Sequence, residues 1–111
     1  MAFKVSAVPG FEGCLAEALD FMNNCDPSGK AAARLLGDIE GAMHLLAEFP
    51  RMCHVREEES KLSGIEMRAT SVGNYLMFYA VRDDEEEVRL YTIRHKLADP
   101  EKTNWTAFAG D

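Results

Sequence analysis

The sequence predicts an α+β domain: an antiparallel β-sheet packed against an N-terminal helical hairpin, in the order β-α-α-β-β-β. Three observations predict it. Two stretches, Phe11 to Met22 and Ala32 to Leu46, repeat apolar residues at helical spacing. From Ile65 to His95 the residues alternate as strands do. The turn Val72-Gly73-Asn74 and the acidic run Asp83 to Glu87 divide that stretch in three. The length of 111 residues suits one core, so residues 1–111 are read as a single domain with 98–111 as its tail.

Taken in order, Phe3 to Val8 alternates Phe3, Val5 and Ala7 against Lys4, Ser6 and Val8, a short strand broken by Pro9-Gly10. Phe11, Cys14, Leu15, Ala18, Leu19 and Met22 form the stripe of the first helix, which ends near Asn23-Asn24. Asp26 is placed to cap the second helix and Pro27 to take its first position. Its stripe runs through Ala32, Leu35, Leu36, Ile39, Ala42, Met43 and Leu46, and Pro50 stops it. Gly37 and Gly41 share a face and would admit a close helix, at about 1 kcal/mol each in propensity. The first helix is the expected neighbour.

Arg51 to Lys61 reads as polar and irregular. Met67 and Ala69 then alternate with Glu66, Arg68 and Thr70. Tyr75 to Arg82 is largely apolar on both faces, which predicts a central strand covered on both sides. Val88 to His95 is the last strand. In the tail from Ala98, Trp105 and Phe108 predict a short helix or arm packed on this domain or on a partner.

Composition narrows the function. Twelve Lys+Arg against 19 Asp+Glu give 12 − 19 = −7, which argues against a surface that tracks nucleic-acid phosphates. Cys14, Cys25 and Cys53 form no CxxC pair and are odd in number, so a reducing, cytoplasmic setting is expected. There is no signal-peptide pattern and no apolar run near the roughly 20 residues a bilayer span needs, so no membrane partner is expected.

Candidate chemistry is sparse. His95 at a strand end is a general acid/base by residue type, although single strand-terminal histidines are more often plain polar ends. Arg68 either holds a phosphate or pairs with Glu66 or a carboxylate of Glu57-Glu58-Glu59. His44, Cys53 and His54 lack the spacing of a metal site. There is no glycine-rich phosphate loop and no GxSxG elbow, so no cofactor is expected. Tyr75, Tyr79 and Tyr91 fit core packing better than base stacking.

Several pieces together resemble the RelE/ParE superfamily of bacterial type II toxins. They are Phe49-Pro50, Leu62-Ser63-Gly64 followed by Arg68, Val72-Gly73-Asn74-Tyr75, Phe78-Tyr79-Ala80-Val81, Ile93 to His95 and Asp99-Pro100. The resemblance implies a RelE/ParE-like fold and a growth inhibitor neutralised by a cognate antitoxin, in systems that serve plasmid stabilisation. Its target would be DNA gyrase, as for ParE-like members, or translation. RelE-like members are ribosome-dependent, metal-independent mRNA endoribonucleases. In that version Arg68, His95, Lys96 and Glu59 would carry catalysis. A third version keeps the fold and binds antitoxin without activity. The chain departs from the nuclease pattern at Leu76, where an arginine is usual. Lys96 stands where some members have a catalytic tyrosine, and Leu97-Ala98 replace arginines. An apolar leucine cannot neutralise a phosphate.

Overall fold

Strand pairing joins the start of the chain to its far end. In the computed structural model, which describes residues 2–99 and 102–110, β1 (Lys4–Ala7) lies parallel to β4 (Glu87–His95). Between them come α1 (Pro9–Cys25), α2 (Lys30–Glu48), α3 (Glu57–Ser63), β2 (Arg68–Val72) and β3 (Tyr75–Arg82). The sheet order is β1-β4-β3-β2, and β2-β3-β4 is an antiparallel meander. The α+β fold with a helical hairpin stands. The sheet is mixed rather than purely antiparallel, because β1 enters beside β4 in the same direction. Ser6 Oγ fixes that pairing by donating to Glu87 Oε2 at 2.7 Å, and Arg89 holds the same carboxylate from 2.9 Å.

Pro9 opens α1 as its first residue and does not stand as a break before it. Asp26 does cap, but from a turn ahead of α2. Its carboxylate accepts from the N–H groups of Ser28 and Ala31 at 3.2 Å each. The helix itself begins at Lys30 after Gly29, whose φ of 80° suits glycine. The α2 stripe buries Ala32, Leu35, Ile39, Ala42 and Leu46, whereas Leu36 is exposed. Gly37 and Gly41 meet no helix: a Cβ added at either would touch nothing within 4 Å. Arg51 to Lys61 is not wholly irregular, since Glu57 begins α3.

Both faces of the sheet are covered. On one, α1 and α2 pack on the strands, with Met22 and Leu35 near Tyr75. Phe78, of opposite parity in β3, meets Trp105 edge-on with centroids 5.0 Å apart. Trp105 in turn meets Phe108, which tilts against Tyr91. The described tail, residues 102–110, therefore packs on its own domain. Pro100, one of the residues carrying the family resemblance, lies outside the described residues. Tyr75, Tyr79 and Tyr91 are all buried. The acidic run forms a 3-10 turn, Asp83–Glu85, and ends with Glu87 buried in β4. Arg51 pairs with Asp83, while Arg82 and Arg89 reach Glu85 at 3.6 and 3.7 Å. Among the described residues no helix is long and apolar enough to cross a membrane.

Candidate functional site

His95 closes β4 opposite Tyr75, the first residue of β3. The two rings meet at 5.2 Å and 80°, so the imidazole is braced by a buried aromatic edge. Beyond it the chain turns tightly. The N–H of Lys96 donates to Asn74 O at 2.9 Å, and that of Ala98 to His95 O at 3.0 Å. The N–H of Leu97 donates to His95 Nδ1 at 3.1 Å. That bond occupies the Nδ1 lone pair, so the neutral ring carries its proton on Nε2.

Glu59, His95 and Lys96 line one cleft, and Arg56, Arg94 and Leu76 line it with them. Phe78 and Trp105 form its apolar wall. Glu59 lies on α3 and is 2% exposed. Its carboxylate is gripped by Arg56, with Nε at 3.1 Å and Nη2 at 3.4 Å. The Arg56 guanidinium also stands 5.8 Å from the Phe78 ring centre, which anchors it over the sheet. Arg94 Nη2 donates to the carbonyl of Asp99 at 3.4 Å. Lys96 is exposed, and its side chain has no ion pair among the described residues.

Arg68 is elsewhere. It pairs in register with Tyr79, one residue out of phase with Phe78, and so leaves the sheet on the opposite face from the cleft. Its Nη1 donates to the carbonyl of Cys53, and its Nη2 lies 3.7 Å from Glu66. The side chain is only 14% exposed. Arg68 thus ties the loop after α2 to the start of β2. Beside it the Tyr79 hydroxyl is buried with no hydrogen-bond partner among the described residues. Burial drives that phenol well above its ordinary pKa, and the neighbouring Cys53 adds to the effect.

The structure therefore brings together three of the four residues singled out from sequence, and adds two arginines. Arg94 carried a signal in the Ile93-Arg94-His95 run. Arg56 carried none, because its partner Glu59 is buried by a helix that has no apolar stripe. The cleft presents donors, guanidinium groups and an ammonium group, while the His95 ring turns to Tyr75 on the other face. Its one carboxylate is engaged by Arg56. Such a set holds an anion well but offers no free base to take a proton. Leu76 adds an apolar side chain, with no charge, to the cleft lining.

Residues 11–100 match the family model described as the ParE toxin of the type II toxin–antitoxin system, parDE. Comparison with curated proteins finds no match.

Proposed function

The chain belongs to the ParE toxin family of type II toxin–antitoxin systems, and from that premise we propose that it arrests growth by binding DNA gyrase and is neutralised by a cognate antitoxin. The observation that carries this reading is the hydrogen bond from Leu97 N–H to His95 Nδ1. It supports this reading because an imidazole whose Nδ1 already accepts a hydrogen bond presents a proton on Nε2 instead of a free base. The separation of Arg68 from the cleft and the presence of Leu76 in it point the same way. A poison that acts by occupying a surface needs no acid/base pair. It needs a stable scaffold for its surface residues, which the doubly covered sheet supplies.

A second reading keeps one supporting observation. Glu59, His95 and Lys96 do share a cleft with Arg56 and Arg94, as a divergent endoribonuclease would require. Removing one preorganised charge stabiliser commonly costs about 10²–10³ in rate, so that enzyme would be slow without an arginine at Leu76.

The test is induced expression of the chain, of Arg68→Ala and of His95→Ala, with plasmid topology and mRNA ends followed in the same cultures. Growth arrest with altered supercoiling, retained in His95→Ala, is expected. Codon-phased mRNA cuts that vanish in His95→Ala would favour the ribonuclease. No arrest by the wild-type chain would leave an inert, antitoxin-binding relative.

A further inference from the structure

We infer that the cleft between the start of α2 and the β2–β3 turn is a binding site for a nucleoside monophosphate, a function separate from the α3–β4 cleft and from the gyrase reading. The cavity has a volume of about 470 Å³, inside the range of roughly 300–1,000 Å³ typical of small-molecule sites. Lys30 and Arg34 line it from successive turns of α2, with about 5–6 Å expected between their Cβ atoms. Asp38 lines it one turn later, beside Gly73 of the β2–β3 turn. All three side chains are exposed, and none has an ion pair among the described residues. The other carboxylate of the lining, Asp26, is already committed to the amides of Ser28 and Ala31 and to the Ser28 hydroxyl. The site is therefore built from side chains and not from the end of the helix.

A second observation points to a ligand. Tyr75 lines the same cavity and is 7% exposed, yet its hydroxyl has no hydrogen-bond partner among the described residues. The Cys25 thiol acts on that phenol, which sets the hydroxyl toward the end of α1, where Met22 and Asp26 continue the cavity. A bound polar group would complete a hydroxyl that is costly to bury alone. The order of charge selects the ligand. From Lys30 to Asp38 the lining runs from positive to negative over about 12 Å of helix. Inorganic phosphate reaches only the positive end. A nucleoside monophosphate reaches both, with its phosphate on Lys30 and Arg34 and its ribose hydroxyls donating to Asp38. The base then lies against Met22, Leu35 and Tyr75, with the Asn74 amide at its edge. A longer nucleic acid is disfavoured, since Asp38 repels a second phosphate and the basic track stops at two residues.

The experiment titrates the full chain with adenosine 5′-monophosphate, cytidine 5′-monophosphate, adenosine and inorganic phosphate, followed by amide chemical shifts and calorimetry. The wild-type titration needs no variant to fold. At least one nucleotide is expected to bind about tenfold more tightly than adenosine or phosphate, and to shift the amides of residues 30–38 and 73–75. Lys30→Gln with Arg34→Gln, both at exposed positions, is expected to weaken nucleotide binding about tenfold and to leave adenosine binding unchanged. Tyr75→Phe keeps the ring against His95 and is expected to weaken the nucleotide about fivefold, the worth of one neutral hydrogen bond. Arg94→Gln, in the other cleft, is expected to change nothing. No binding of either nucleotide, phosphate bound as tightly as the nucleotides, or shifts confined to residues 94–98 would each overturn the assignment. So would a double variant within about twofold of wild type, a Tyr75→Phe variant that binds like wild type, or a single-stranded oligonucleotide bound more tightly than either nucleotide. None of these outcomes bears on growth arrest, so the toxin reading stands or falls separately.

Discussion

The amide of Leu97 donates to His95 Nδ1 at 3.1 Å, and this one bond sets which proton the imidazole presents. A histidine whose Nδ1 is already an acceptor presents only a proton, on Nε2. Correlation of ring protons with ring nitrogens by NMR is expected to show the Nε2–H tautomer in the neutral protein. His95→Asn, whose Oδ1 lies near the place of Nδ1, is expected to keep the Leu97 bond and full toxicity. An Nδ1–H tautomer would return the general-base role to this residue.

Arg68 is expected to behave as a structural residue. Arg68→Ala removes the bond to the Cys53 carbonyl and leaves that acceptor in a partly buried site. A loss of about 1–3 kcal/mol in urea unfolding is expected. Toxicity should fall only as far as the folded population falls. A fully stable Arg68→Ala protein without toxicity would contradict this assignment.

The Tyr79 hydroxyl is buried with no hydrogen-bond partner among the described residues, so Tyr79→Phe is expected to leave stability unchanged or raise it by about 1 kcal/mol. The sign of its pH effect follows from burial. The folded phenol resists ionisation, whereas the unfolded one ionises near the usual value of about 10. The folded state therefore holds more protons there, and stability falls as pH rises above about 10. Tyr79→Phe should remove part of that alkaline loss in denaturant melts. Tyr75, whose phenol burial also raises, keeps a share of it.

Trp105 is the single tryptophan and reports directly on the tail. It is 4% exposed and meets both Phe78 and Phe108 edge-on. Its fluorescence should be that of a buried indole in the isolated protein. Trp105→Ala is expected to cost about 3 kcal/mol and to loosen residues 102–110 in hydrogen exchange. An exposed indole in the free protein would show that the tail belongs to a partner after all.

Much of the fold was legible because periodicity marks it. The α1 and α2 stripes, the two-faced β3 and the strand ending at His95 all carry local signals. What escaped was encoded at a distance or in polar residues. The α3 segment buries Glu59 and Ser63, and no hydrophobic pattern announces a buried glutamate. The parallel pairing of β1 with β4 spans most of the chain, and four residues cannot specify it locally. Leu36 neighbours Leu35 in sequence, but one turns outward where the other is 1% exposed, since the buried stripe is narrower than the apolar one. In the cleft, His95 and Lys96 were legible as strand-end polar residues. Arg56 was not, because its role depends on Glu59 and on the Phe78 ring reached through the fold. Arg68 left two readings open, because an arginine between apolar neighbours looks alike on either face of a sheet, and the structure supports its pairing with Glu66.

The central claim is that this chain acts by binding and not by cleavage, and purified components test it most directly. DNA gyrase supercoiling of relaxed plasmid should be measured with increasing amounts of the wild-type chain and of His95→Asn, beside an mRNA-cleavage assay on translating ribosomes. Equal inhibition of supercoiling by both proteins, with intact mRNA, is the expected result. Unaffected gyrase, together with cleavage on the ribosome by the wild-type chain and none by His95→Asn, would contradict it.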